Sequence, residues 1–353
     1  MKCAVSTGCV VNVSISHLIS ISICKTFMVF LLSTFKMTAY AVMENYKHGL
    51  FSVFFLLYLI TLVLNVLLIS VIHQNKQLHQ PMNVFTCMLS LNEIYGSSAL
   101  LPAVMAVLVS KTHDVTVKWC MAQAYFLHTY ASGEFCILAL MGYDRYIAIC
   151  SPLHYYSIMS YSKTCKLIAF TGLYPFIVFT SFYSLTLQLR FCGKVMPKLY
   201  CVNMELVKNS CRNAQYISTV GLAILVLFIV PLLVMIVFSY THILRVCRTF
   251  PKESQANAFR TCVPHLLSLL NYTIASLFEV IQTRFNMSHV AVEAQIFLSL
   301  YFIIIPPIAN PVLYGLGTQT VRGCIMKLFI KNKVMTTVLA KTLTVDLLPF
   351  HTL

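Results

Sequence analysis

The stretch LFSVFFLLYLITLVLNVLLISVI, Leu50–Ile72, carries no charged side chain, and its reading decides the fold. A helix needs about 20 predominantly apolar residues to cross the hydrocarbon of a bilayer, and this run is long enough alone. Six more apolar segments of spanning length follow, at about 83–108, 120–146, 165–188, 214–240, 259–283 and 291–315. Barrel strands, the other way to cross a membrane, show alternating segments of about ten residues rather than continuous runs. The expectation is an all-α membrane protein, a seven-transmembrane helix bundle over residues 47–317.

Composition agrees. Of 353 residues, 59% are hydrophobic and 10% charged, too few charges to cover a water-facing surface. The mean hydropathy is +0.80. The net charge of +15 does not point to nucleic acid. Phosphate binders cluster their basic residues, whereas Lys76, Lys111, Lys118, Lys163 and Lys166 stand singly between apolar stretches.

Residues 1–46 read as an extracellular N-terminal tail of doubtful structure. Within it His17–Phe35 is weakly apolar, but Lys25 lies in its middle, and a central Lys costs about 2.5–3.5 kcal/mol on insertion scales. A cleaved signal sequence and an inaccurate start of the reading frame are the alternatives. Lys/Arg placement favours an outside N-terminus only slightly. The inner side holds Lys76, Arg145, Arg245, Arg248, Lys252 and the tail cations, and the outer loops hold Arg190, Lys194, Lys198, Lys208 and Arg212.

Cysteine speaks more clearly. Cys192, Cys201 and Cys211 lie in the long loop between the fourth and fifth spans, and Cys120 opens the third. Disulfides persist in oxidising compartments, which makes that side outer; spacing leaves their pairing open. No C-x-x-C pair with histidines marks a zinc site. Of the sequons at Asn12, Asn271 and Asn286, only Asn12 is expected to be glycosylated.

The end of the third span reads MGYDRYIAICSPLHYY, Met141–Tyr156. The second span begins LHQPMNVFTCMLSLNE (Leu78–Glu93), the sixth opens NAFRTCVPHLL (Asn257–Leu267), and the seventh closes PPIANPVLYGLGT (Pro306–Thr318). Together these resemble the ordered signature of the odorant receptors, within the rhodopsin-like G-protein-coupled receptors, over about residues 47–330. The TCVPHL and YGLGT wording is similar to fish-type members. Asn257, Gly317, Ala309 and Leu64 depart from the usual residues, the first two by removing inner charges.

The resemblance implies a plasma-membrane receptor that binds a small odorant and activates a stimulatory heterotrimeric G protein, without catalysis. In the resting state Arg145 pairs with Asp144, beside Tyr146. On activation it turns toward Tyr240 and Tyr314 as the sixth helix swings out. Asn310-Pro311 supplies a bend in the seventh helix and Pro231 one in the fifth. Glu93 and Glu134 are acids within the second and third spans, and an intramembrane acid is a functional marker by default. With Asn65 and Asn310 they offer oxygens for a sodium ion. A protonated Glu bonded to a neighbouring helix is the alternative, and both stay open. No other cofactor is expected.

The implied ligand cavity lies between helices three, five, six and seven. His128 and Ser132 share one face of the third helix, while Tyr272, Ser276 and Arg284 climb the sixth. Arg284 at the rim can hold a carboxylate, and the basic outer loop attracts anions. A small polar or acidic, water-borne ligand is the expectation. A metabolite sensor of the same family is the second reading. A transporter is the third, and it lacks the repeated halves expected of that class. Residues 318–353 are expected to hold a short amphipathic helix 8, with Val321, Ile325 and Leu328 facing the membrane and Cys324 either palmitoylated or a plain buried thiol, followed by a cytoplasmic tail.

Overall fold

The computed structural model describes residues 34–327 apart from 213, 286 and 288. Asn12, the Asn286 sequon, Leu328 and the tail beyond it lie outside the described residues. Seven long helices run among them: Lys47–Gln74 (α1), Pro81–Val109 (α2), Val117–Cys150 (α3), Tyr161–Leu187 (α4), Gln215–Cys247 (α5), Lys252–Arg284 (α6) and Val292–Gly317 (α7). Each overlaps one apolar segment. The largest differences are at the end of α5 and the start of α6, where the helix continues past the apolar run through Arg245 and from Lys252. Basic and polar side chains do not stop a helix; they mark where it leaves hydrocarbon.

Six of these helices are long and apolar enough to cross a membrane. The exception is α3, which reaches the same standard only together with Pro152–Ile158, a segment bent from it by 111°. Its polar residues are spent inside the bundle, since Gln123, Thr129, Glu134 and Asp144 are all buried. Local chemistry sets its ends. Thr116 caps the first turn by accepting from the Trp119 amide at 3.4 Å, and Pro152, which cannot continue the ladder, follows its last turn.

Helix α7 contains Pro306, Pro307 and Pro311. Pro311 has no N–H to give to the carbonyl four residues back, which is that of Pro307. The Asn65 side chain on α1 fills the gap, donating from Nδ2 to the Pro307 oxygen at 2.9 Å. A carbonyl left bare in hydrocarbon is costly, so this side chain compensates the proline from another helix.

The end of the bundle that carries the long loop is closed by cross-links. Disulfides join Cys120 to Cys201 and Cys192 to Cys211, which answers the pairing left open by spacing. Residues 34–46, assigned from the sequence to a tail of doubtful structure, are ordered against the same loops. Thr34–Met37 (β1) is the central strand of a three-stranded sheet, antiparallel to Asp114–Thr116 (β2) and parallel to Val195–Met196 (β3). Phe35 and Met37 point inward and Thr34 and Lys36 outward, the period of two that a half-buried strand requires. A 3-10 turn, Thr38–Tyr46, then leads into α1. Its Tyr40 is fully buried and donates to the Leu199 carbonyl at 2.6 Å. His113, between α2 and β2, sits at φ 52°, a left-handed conformation held from both ring nitrogens by the Val107 carbonyl and Glu44.

At the opposite end residues 319–327 form a short helix. Val321 and Ile325 were expected to face the membrane but are buried, and Ile325 lies against the Gly315 backbone. Cys324 is buried too and accepts from the Gln77 amide at 3.2 Å, so its thiol is a packing group here. The short helix packs on the end of α7 and on the turn after α1, so its apolar face meets protein.

Tyr40→Phe should lower the unfolding free energy by about 1–3 kcal/mol, because it strands the buried Leu199 carbonyl while sparing the ring. Thermal melting of the detergent-purified protein checks this. No change in the melt would mean that the strand and turn do not hold the loops.

Candidate functional site

Three polar constellations lie along the bundle axis. The middle one joins four helices. Glu93 on α2 and Glu134 on α3 are fully buried, and both accept from a single donor, Nδ2 of Asn310 on α7, the Glu134 contact measuring 2.9 Å. Their remaining oxygens are taken by Tyr130 Oη at 3.0 Å and Asn92 Nδ2 at 2.8 Å. Ser268 on α6 donates to Asn310 Oδ1 at 2.6 Å. No Lys or Arg pairs with either acid among the described residues. Two carboxylates so close and so buried cannot both stay ionised without a cation, so the pair holds either a proton or an ion.

A sodium ion fits the donor chemistry, which is all oxygen. The Asn65 Oδ1 and Ser97 Oγ atoms, both buried, have no hydrogen-bond partner and are candidates to complete its shell. No group of three or more His, Cys, Asp or Glu among the described residues suits a metal, so an ion here would depend on these neutral oxygens as well as the two acids.

The second constellation is at the DRY end. Arg145 donates to Asp144 Oδ2 from Nη2 at 2.6 Å and from Nε at 3.2 Å, and Tyr155 donates to Asp144 Oδ1 at 2.8 Å. Asp144 is fully buried, so the aspartate is held from two sides and the arginine is kept at home. Tyr240 does not reach Arg145. Its hydroxyl bonds to His265 Nδ1, and His265 Nε2 meets the Leu138 carbonyl at 2.9 Å. A carbonyl requires the proton on Nε2, so Nδ1 accepts from Tyr240. The histidine thus ties α6 to α5 and α3. The Tyr314 hydroxyl is buried and unpartnered, and Tyr146 packs its ring against Phe238 and His242.

The third is a cavity of about 180 Å³ near the disulfide end. His128, Ser132, Ser276 and Arg284, all expected from the sequence, line it. His128 stacks on Phe179 at 4.8 Å. Its Nδ1 meets the Ala124 carbonyl at 2.8 Å, which leaves Nε2 as the acceptor. Ser276 donates to the Tyr272 carbonyl at 2.6 Å, so its oxygen can still accept. Arg284 is stapled to α5 through Nη1, at 3.0 Å from the Ser218 carbonyl and 2.8 Å from its hydroxyl. Anchored this way, a guanidinium presents its other N–H groups in a fixed direction.

Tyr272 does not line the cavity. It is fully buried, and its hydroxyl donates to the Ala131 carbonyl at 3.0 Å. The cavity also reaches further than the four helices expected, with Phe179 and Phe182 of α4 and Asn203 of the loop in its wall. The basic loop is less available to anions than its sequence implies. Lys198 is buried and donates to Gln282 at 3.0 Å, and burial holds its ammonium below the usual lysine range. Lys208 pairs with Glu205 at 2.8 Å. The sequence reading passed over Glu279, although the rule that singled out Glu93 and Glu134 applies equally to an acid in the sixth segment. It also passed over His265 as a link, though the TCVPHL stretch contains it.

A seven-helix bundle with an arginine–aspartate pair at one end and a largely apolar cavity at the other has the architecture of a ligand-operated membrane receptor. The sequence model of the olfactory receptor family matches residues 54–332. Human olfactory receptor 52D1 is 34% identical over 275 residues, covering 77% of this chain and 86% of that protein. Human olfactory receptors 52K1 and 51L1 are 29% and 30% identical, covering 77% and 82% of this chain and 87% and 92% of theirs. The chain belongs to the olfactory receptor family, G-protein-coupled receptors that are multi-pass membrane proteins and not enzymes. These human relatives do not bear on the fish-type likeness.

The central cluster depends on a close approach at Gly96. A Cβ there would lie 2.3 Å from Cδ2 of Tyr130, whose buried ring also packs on Phe302. Gly96→Ala should therefore displace the ring, break its bond to Glu93 and cost about 1–3 kcal/mol of stability. Gly49→Ala, where nothing lies within 4 Å, should melt like wild type. Equal melting of the two variants would show that the ring is free to move aside.

Proposed function

We propose that this chain is an odorant receptor of the plasma membrane, with its N-terminus outside, that takes a small acidic molecule into the cavity and activates a stimulatory heterotrimeric G protein. The observation that carries the ligand class is Arg284, a cation in the wall of an otherwise mostly apolar cavity and already oriented by Ser218. A carboxylate on the free guanidinium edge gains charge-assisted hydrogen bonds, while His128, Ser132 and Ser276 add neutral polar contacts. The disulfides at the cavity end support an outside N-terminus, since they persist in oxidising surroundings.

Activation then needs no chemistry. A ligand shifts the equilibrium only by binding one state better than another. The His265 bonds to Tyr240 and to the Leu138 carbonyl hold α3, α5 and α6 together in the state described here, while Asp144 keeps Arg145 on α3. Parting α6 from α3 breaks the His265 contact to Leu138 and frees Tyr240, with Tyr314, to receive Arg145. A groove opens on that face for the G protein.

Short-chain carboxylates should raise cAMP in cells bearing the receptor. Arg284→Ala should weaken those responses about tenfold or more while surface labelling is unchanged, the size expected for lost hydrogen bonds to a charged group. Acid responses that survive unchanged would remove Arg284 as the anchor. A sodium ion at Glu93 and Glu134 belongs to the same proposal. Replacing choline by sodium should raise the melting temperature of the purified receptor, and Glu134→Gln should abolish the rise. A wild-type melt indifferent to sodium would leave the shared proton as the reading.

A further inference from the structure

The two glycines of the YGLGT stretch leave the end of α7 bare on two sides. At Gly315 a Cβ would lie 3.4 Å from Cδ1 of Ile325 on the short helix. At Gly317, the last residue of α7, it would lie 2.9 Å from Cγ and 3.4 Å from Cβ of Pro264 on α6. Pro264 is buried and stands inside α6, where it has no N–H to return to the Arg260 carbonyl. A long side chain could swing away from a new methyl group. A proline ring is stiff, so crowding at 317 passes to the helix that carries it.

The seam between α6 and α7 changes character along its length. Toward the cavity it is tied by polar bonds, Ser268 to Asn310 at 2.6 Å and Tyr301 to Asn271. Ser268 is about one turn beyond Pro264, and below that tie the proline ring rests against the glycine backbone. The next residue, His265, makes the bonds to Tyr240 and to the Leu138 carbonyl. Its ring lies over Gly142 of α3, where a Cβ would be 3.6 Å away. At this level α6 is therefore seated on α3, α5 and α7 together. Glycine forms helix less readily than alanine, so helix preference does not account for Gly317; room for the ring does.

We propose that the seating of Pro264 on Gly317 is an autoinhibitory contact. The missing Cβ lets α6 close on the last turn of α7, and a side chain at 317 holds the inner end of α6 outward, toward the signalling arrangement. Carbon atoms in ordinary contact are about 3.5–4.0 Å apart, so a methyl group at 317 demands about 0.6–1.1 Å of opening, with the Ser268–Asn310 bond as pivot. The link to signalling rests on the reading that activation parts α6 from the bundle; the closure rests on Pro264 and Gly317 alone.

The test uses the full-length receptor and two readouts. One is resting cAMP, without ligand, in cells matched for surface label. The other is maleimide labelling of Cys262 in the purified protein, followed by peptide mass spectrometry. Cys262 lies on α6 and is 2% exposed, so its labelling rate reports opening of the inner end with no G protein present. Gly317→Ala should raise both readouts about fivefold or more, the size expected of an overpacked contact. Gly323→Ala, where nothing lies within 4 Å, should match wild type. In a Pro264→Ala background, Gly317→Ala should change neither readout by more than about twofold. Gly317→Ser adds the same Cβ and carries the comparison if the alanine variant folds poorly. The contact is overturned if Gly317→Ala labels Cys262 at the wild-type rate, or if its effect persists undiminished without the proline ring. Should labelling rise while cAMP stays level, the closure stands and the reading of α6 motion as activation falls.

Discussion

One amide group, Nδ2 of Asn310, lies between the carboxylates of Glu93 and Glu134, and the helices are arranged around that contact. It binds α7 to α2 and α3 at once, and Ser268 adds α6 through the asparagine oxygen. Asn65 brings in α1 by satisfying the carbonyl that Pro311 leaves bare. Within a bilayer apolar side chains gain little by leaving lipid for one another, so helix association leans on packing and on polar links such as these. The Asn65 link also compensates Pro311, one of the three prolines within α7.

The cluster also stands between the two ends of the molecule. Phe135 and Phe302 line the cavity and pack on Tyr272, and Phe302 touches Tyr130, which bonds to Glu93. Below the acids, His265 links α6 to Tyr240 and to the α3 backbone, one helical stretch above the Asp144–Arg145 pair. A ligand that moves α6 at Arg284 therefore acts on a helix that also carries Ser268 and His265. Packed interfaces of this kind tend to have a few discrete arrangements rather than a continuum, which is what a switch requires.

Much of this was legible in the residue order. Spans can be read because a membrane imposes a length and an apolarity on each segment by itself, with no reference to its neighbours. The acids, the DRY stretch and the NP pair stood out for a related reason: polar groups and helix breakers at membrane depth are rare and costly. The strand Thr34–Met37 was not, because four alternating residues become a strand only when Asp114–Thr116 and Val195–Met196 come to meet them. Tyr272 was placed in the pocket by counting turns along α6, and a count along one helix does not show that the neighbouring Ala131 carbonyl takes its hydroxyl. Val321 and Ile325 have an apolar face, and the sequence does not say whether lipid or protein covers it.

Few charges and long apolar runs determined that the chain crosses a membrane seven times as helices, and the motifs determined its family, because both are properties of single segments. Which cysteine pairs with which, which donor reaches which buried acid, and which polar atoms remain without a partner were decided only in the tertiary structure. Each of those is a distance between residues far apart in the chain. The cavity shows the difference most clearly, since Arg284 stood out as a charge in a sequence, while its anchoring by Ser218 becomes visible only when α5 and α6 are folded against each other.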